Sequence, residues 1–252
     1  MQNLGDNKSF CPAPWNAIYL EPNGKIESCC VAKNNIGNVK ESDIETIIAG
    51  QRNIEIKGQM LAGEPVAGCR ACHDKKQSLQ RELVKRFPPD IHKSLYQSPL
   101  NFTLQYIDAR WSNVCNLACI YCGPELSSTW AQEVGEVHRI ERSTKNSMLD
   151  TILEQVETIK ELYLAGGEPT MMKENEILLE ELVARNPNCH VCVNTNLSQT
   201  NNRVFKLLTQ LRNCQWLISV DASNEQYEYI RYPGKWSEFS NNLNTLTGNV
   251  SF

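Results

Sequence analysis

The sequence predicts an α/β protein: a parallel β/α sheet, open or curled into a partial barrel, preceded by a small cysteine-rich α+β domain. Three observations carry this. From about residue 99 onward, apolar runs with β-branched residues alternate with amphipathic segments, the pattern of a parallel sheet with crossover helices. Before that, residues 1–40 are rich in Gly, Pro and Asn around two short apolar runs. Finally, most of the eleven cysteines fall into two groups, one before residue 73 and one at 115–122. A boundary near residue 98 divides the chain into expected domains 1–98 and 99–252.

Composition narrows the function classes. The 252 residues include 25 basic and 29 acidic side chains, a formal net charge of -4, with the two signs interleaved. Such a chain has no basic footprint for nucleic acid. No run approaches the ~18 apolar residues of a membrane span, and MQNLGDNKSF has neither the basic start nor the apolar stretch of a signal peptide. The expected location is cytoplasmic, with neither nucleic acid nor membrane as partner. The cysteines are too sparse for a small disulfide scaffold. Close Cys spacings in a reducing compartment point instead to metal or catalysis.

Taken in order, AIYL and KIESC read as two strands joined by EPNGK, with Asn23-Gly24 at the tip of a hairpin turn. Over 41–60, Ile44, Ile47, Ile48, Ile54 and Ile56 recur among charges, which predicts helix interrupted near Gly50. GEPVAGCRACHD is a Gly/Pro loop, 75–86 a charged helix stopped by Pro88-Pro89, and 87–101 a linker. Beyond the boundary, FTLQYIDAR, ELYLA, VCVNT and WLISVD are expected strands. The expected helices are 126–140, 148–159, 174–185, 203–211 and 236–246, and NVSF reads as the opening of one more strand. Polar residues crowd the C-terminal ends of the strands, the edge where parallel β/α folds bind ligands.

The cysteines sort by spacing. Cys189 and Cys192 form C-x2-C within CHVCVNTN, but residues three apart on a strand point to opposite faces, so the pair reads as core rather than chelate. Cys214, just ahead of WLISV, also reads as core. VCNLACIYCG differs: Cys115, Cys119 and Cys122 stand as C-x3-C-x2-C directly after a strand, in a loop without proline until Pro124. Three thiolates can hold three irons of a cubane. A four-iron cluster normally takes four Cys ligands, so one iron is left open to a small molecule that it can chelate and supply with an electron. Zinc on three cysteines and a further donor is the alternative.

C-x3-C-x2-C after the first strand of the β/α region, with Tyr121 before the third cysteine, resembles the motif of the radical S-adenosylmethionine (SAM) superfamily, and the resemblance extends over about residues 102–240. Gly166-Gly167-Glu168-Pro169 in LYLAGGEPTM strengthens it. Glycines let backbone approach a ligand closely, Glu168 offers an acceptor, and the turn is similar to the family motif whose backbone holds the methionine amino group of SAM. The resemblance further implies that Asn194-Thr195-Asn196 and Ser219-Val220-Asp221, at the ends of the third and fourth strands, meet the ribose and carboxylate. It sets Arg231 where related peptide-modifying members carry an arginine for the cofactor carboxylate, a task suited to guanidinium. A solvated charge is the alternative for Arg231, and a turn or capping residue for Asp221. The implied cofactors are SAM and a SAM-binding 4Fe-4S cluster on Cys115, Cys119 and Cys122, which become the catalytic residues. The implied course is an electron from a flavodoxin- or ferredoxin-type donor, homolytic carbon–sulfur cleavage, and a 5'-deoxyadenosyl radical that takes hydrogen from the substrate.

Cys11 in CPAPW, Cys29 in NGKIESCC, and Cys69 and Cys72 in GCRAC make a second set of four thiols. They suffice for a second, auxiliary iron–sulfur cluster or for one tetrahedral zinc, and spacing does not choose. The set resembles the Twitch or SPASM-like auxiliary modules of radical SAM enzymes, with Cys30 a neighbour rather than a ligand. It departs from them in preceding the barrel instead of following it, and in carrying cysteines for one cluster. His73 reads as an exposed loop histidine. Because auxiliary-module relatives mostly modify peptides or proteins, the resemblance implies such a substrate; a small sugar- or nucleoside-like metabolite, or a non-catalytic iron–sulfur or zinc protein, are the alternatives. Tyr227, Tyr229 and Tyr232 are open to a substrate-facing or a packing role. Four β/α units and a possible fifth strand, against the family's usual six, predict either a C-terminally truncated barrel or one completed otherwise, with turnover impaired.

Overall fold

A computed structural model describes residues 4–249 apart from 74, 76 and 137–139. The protein forms two compact units: the chain up to Leu20 with Gly24–Asp108, and Glu21–Asn23 with the chain from Ala109 onward.

In the first unit, α1 (Ala13–Asn16) runs directly into β1 (Ala17–Leu20), which pairs antiparallel with β2 (Lys25–Glu27), Leu20 opposite Ile26. Gly24 closes the turn at φ +93°, where a Cβ would also stand 2.7 Å from Asn38 Oδ1. β3 (Gly37–Asn38) adds antiparallel to β2. The helix expected over 41–60 is divided at Gly50 into α2 (Ile44–Ile48) and α3 (Gln51–Ala62). Asp43 caps α2 by accepting from Thr46 N at 2.7 Å, and left-handed Gly63 ends α3. The charged helix starts later than its periodicity suggests, as α4 (Leu79–Arg86), because Ser78 caps it. β4 (Tyr106–Ala109), all that forms of the strand expected across FTLQYIDAR, lies beside β1. Phe10, Trp15 and Tyr96 make the core, fully buried with ring centroids 5.2–5.9 Å apart. Such pairs contribute about 0.5–1.5 kcal/mol beyond burial. Lys57 is buried against them: Nζ donates to Asn101 O at 2.9 Å and stands 5.7 Å from the Trp15 and Phe102 ring centroids.

In the second unit, α5 (Ser128–Val134) and α6 (Arg142–Glu154) precede β5 (Glu161–Leu164). The alternation continues through α7 (Lys173–Arg185), β6 (His190–Thr195), α8 (Arg203–Gln210) and β7 (Cys214–Ile218). β5, β6 and β7 pair parallel, Leu162 opposite Val191 and Val193 opposite Trp216. Alternate residues of β5 and β6 are buried, which directs Leu162, Leu164, Val191 and Val193 into the core. Cys189 is buried just ahead of β6, while Cys192 and Cys214 are half-buried on adjacent strands. α9 (Asn224–Ile230) is a helix that periodicity does not announce, since Tyr227 is its single buried residue. Tyr227 packs 5.5 Å from Trp236 and 5.1 Å from Phe239 of α10 (Trp236–Asn249), which decides its role as packing. The end of the expected helix 126–140 and the expected strand at 249–252 fall on 137–139 and 250–252, outside the described residues. Among the described residues no helix is long and apolar enough to cross a membrane.

Candidate functional site

The loop after β4 carries Cys115, Cys119 and Cys122 without regular structure, so its backbone groups need partners elsewhere. The first turn of α5 supplies them. Ser127 accepts from Trp130 N at 3.2 Å as helix cap and donates to Leu117 O at 2.6 Å. Thr129 Oγ1 donates to Cys115 O and Trp130 Nε1 to Cys119 O, both at 2.8 Å. From the loop, Ala118 N and Ile120 N donate to the Tyr232 and Ile230 carbonyls at 2.6 and 2.9 Å. A reading centred on the cysteines misses these residues; the signal was the capping run Ser-Ser-Thr-Trp at 127–130.

Gly166 and Gly167 press against the same loop. Gly167 N donates to Ser112 O at 3.2 Å and Glu168 N to Val114 O at 2.6 Å. A Cβ on Gly167 would stand 2.1 Å from Val114 O, and Gly166 holds φ +109°. The glycines therefore serve the contact between two protein segments as well as the wall of a cavity.

Glu168 requires a correction. Read from the sequence as an acceptor for ligand, its carboxylate is fully buried and occupied by the protein. It accepts from Thr170 N and Oγ1 at 3.1 and 2.7 Å, and from Thr195 Oγ1 and Asn196 N at 2.7 Å each. A carboxylate without access to water must be satisfied internally, and these donors tie the end of β5 to the end of β6. Burial raises its pKa against the pull of the donors. Pro169 is likewise buried, its carbonyl accepting from Asn175 Nδ2 at 2.9 Å. Both position the site rather than line it.

The elements enclose a cavity of about 150 Å³ lined by Cys115, Cys119, Cys122, Tyr121, Gly166, Gly167, Asn194, Asn196, Ser219 and Arg231, with Leu117 and Leu126. Asn196 Nδ2 donates to Asn116 Oδ1 at 3.2 Å and stands 3.8 Å from Cys115 Sγ; Ser219 Oγ donates to Asn194 Oδ1 at 3.0 Å. Arg231 is buried, which removes the alternative of a solvated charge. It pairs with Asp221, lies 5.7 Å from the Tyr121 ring centroid, and brings Nη1 to 3.9 Å from Cys119 Sγ. Burial pushes Cys115 up to about 12 and also raises Cys119 and Cys122. Thiols that hold their protons this firmly become ligands when a metal displaces the proton.

In the first unit Cys11, Cys29, Cys69 and Cys72 line a smaller cavity of about 20 Å³, together with His73, Met60, Gln80 and Leu83. Burial pushes Cys29 up to about 12 and raises Cys11 and Cys69. Asn34 Nδ2 donates to Cys69 Sγ at 3.2 Å. Cys30 is exposed. His73, expected to be an exposed loop residue, is partly buried with Nε2 out of reach of water, because it shares this wall with the start of α4.

Both donor sets fit iron–sulfur chemistry. The first is three soft thiols beside a glycine-walled space, the second four soft thiols around one cavity. Among the described residues no three His, Cys, Asp or Glu side chains converge on one point as they would about a single ion.

Two family models match the chain, one over the range of each cysteine group. The radical SAM superfamily model matches residues 110–249, more than half of the chain. The SPASM model, an iron–sulfur cluster-binding domain, matches residues 11–73. No curated protein matches the chain. The protein thus belongs to the radical SAM superfamily, enzymes whose chemistry rests on a 4Fe-4S cluster and S-adenosylmethionine.

Proposed function

We propose that this enzyme holds its catalytic 4Fe-4S cluster on Cys115, Cys119 and Cys122, binds SAM in the cavity those thiols line, and modifies a peptide or protein. The observation that carries the reading is the shared wall, on which three thiols, two glycines, Asn194, Asn196, Ser219 and Arg231 face one space. Bound there, the cluster and SAM supply reductive carbon–sulfur cleavage and abstraction of a substrate hydrogen, with the electron drawn from a flavodoxin- or ferredoxin-type donor. The chain's own residues bind and orient. Gly166 and Gly167 leave backbone at the wall, Asn194, Asn196 and Ser219 offer polar groups to the ribose, and Arg231 offers charge to the carboxylate. Leu117 and Leu126 limit the water that reaches the site.

A peptide substrate is supported by the exposed apolar side chains Ile120, Tyr121, Val220, Tyr229 and Tyr232. The hydrogen bonds of Ala118 and Ile120 to the 230–232 backbone, and of Tyr121 to Asp221, draw them into one neighbourhood beside the cavity. Such a surface suits a chain-like ligand. The reading assigns residues 1–98 to an auxiliary module with a second iron–sulfur cluster on Cys11, Cys29, Cys69 and Cys72, and 99–252 to the catalytic part. A reducing, cytoplasmic setting suits eleven free thiols.

Anaerobic reconstitution followed by iron, sulfide and zinc analysis tests this. About eight irons and eight sulfides per chain are expected, with 5'-deoxyadenosine formed from SAM and dithionite. Alanine at Cys115, Cys119 and Cys122 should remove about half of the iron and all of that product. Little iron with two zincs per chain overturns the reading. With a deuterated peptide library, deuterium should enter 5'-deoxyadenosine; its absence across the library argues against a peptide substrate.

A further inference from the structure

We propose that His73 donates a hydrogen bond from Nε2 to a sulfur of the cluster on Cys11, Cys29, Cys69 and Cys72, and that with Asn34 it sets the reduction potential of that cluster. The inference rests on the reading of those four thiols as cluster ligands. His73 lines the same cavity as the thiols. Its Nε2 is buried and has no hydrogen-bond partner among the described residues. A buried polar atom left unpaired costs about 1–3 kcal/mol, and folded proteins pair nearly all of them, so what fills the cavity is the partner. Four thiols already match the four irons of a cubane. A further nitrogen on this wall therefore meets a sulfur rather than an iron.

Asn34 makes a contact of the same kind, donating Nδ2 to Cys69 Sγ at 3.2 Å. Gly68 leaves the room that Asn34 occupies, since a Cβ there would stand 1.6 Å from Asn34 Oδ1. A reduced cluster carries one more negative charge, and an N–H aimed at its sulfur favours that state, so each donor raises the potential.

The test uses the full chain with Cys115, Cys119 and Cys122 replaced by alanine, which leaves the auxiliary cluster alone. Iron content and a redox titration followed by electron paramagnetic resonance compare His73→Phe, His73→Gln and Asn34→Leu with this parent. His73→Phe and Asn34→Leu should keep their iron and lower the reduced-to-oxidised ratio at fixed poise about tenfold, equivalent to about 59 mV for one electron. His73→Gln retains an N–H and should stay near the parent; if His73→Phe loses iron, a loaded His73→Gln at the parent potential still supports the inference. An unchanged potential in fully loaded His73→Phe overturns it, the proton then going to a protein acceptor such as Gln80 Oε1 on the same wall. Loss of iron from both His73 variants also overturns it, by making the imidazole a ligand. A parent that takes up no iron defeats the cluster reading itself, not the role given to His73.

Discussion

Arg231 Nε stands 2.7 Å from Asp221 Oδ2, and Tyr121 donates its hydroxyl to the same oxygen at 2.9 Å. The arginine side chain is 7% exposed and the aspartate 36%, so the guanidinium is the partner that depends on the pair. The contact joins the residue before Cys122, the segment after β7 and the end of α9. It also holds the guanidinium on the cavity wall before any ligand arrives.

Arg231→Leu should weaken SAM binding to the reconstituted protein about 10- to 100-fold, since a hydrogen bond to a charged group contributes about 1.5–3 kcal/mol. Iron content should stay that of the parent. Equilibrium binding measures the loss; equal affinity in the variant would count against a carboxylate partner for Arg231.

Gly167→Ala should displace the loop at Val114 and lose the iron of the second unit, because its Cβ would stand 2.1 Å from the Val114 carbonyl oxygen. Gly58→Ala is the control. It lies inside α3 with nothing within 4 Å of the added methyl, and should stabilise the fold by about 0.5–1 kcal/mol. Iron analysis and thermal unfolding of both variants separate a packing constraint from a general effect of replacing glycine.

Cluster loading should strengthen with pH through the neutral range. Burial pushes Cys115 and Cys29 up to about 12, so protons compete with iron for these sulfurs at pH 7 and compete less as pH rises. Iron retention against a fixed concentration of chelator, compared at about pH 6.5 and 8.5, should be greater at the higher pH. Retention equal at the two pH values would mean that the thiols are already ionised before loading.

Lys57→Met should stabilise the apo protein by about 1 kcal/mol or more at pH 7, the outcome often seen when an apolar side chain replaces a buried charge. Burial lowers Lys57 from 10.5 to about 8. Below pH 8 the ammonium is charged in both folded and unfolded chains, and the cost of burying it is fully felt. As pH rises from 8 toward 10.5, the folded form has already shed the proton that the unfolded form keeps, so native stability rises and the advantage of methionine shrinks. Urea unfolding of parent and variant at pH 7 and 10 checks both sign and window.

Much of the site was legible because its parts are local. C-x3-C-x2-C and Gly-Gly-Glu-Pro carry their meaning within a few residues, and the β-then-α alternation appears in hydrophobic period alone. Gly50 as a break acts through its own backbone, whereas the later start of α4 is set by the Ser78 hydroxyl, which hydrophobic period does not register. α9 was missed because one buried tyrosine leaves no stripe to count.

What the sequence by itself determined is the chemistry: two sets of soft thiols, a glycine turn and a family whose enzymes use SAM. Spacing along the chain suffices for Cys115, Cys119 and Cys122, which stand within eight residues, whereas Cys11, Cys29, Cys69 and Cys72 reach one cavity wall only through the fold. Tertiary structure alone decided which polar groups face the cavity. Glu168 turned inward to four donors, Arg231 was buried against Asp221, and His73 Nε2, on the wall the four thiols line, was left without a partner among the described residues. A side chain's partners come from segments tens of residues away, and only the packing of those segments sets whether a carboxylate or an imidazole meets protein, water or ligand.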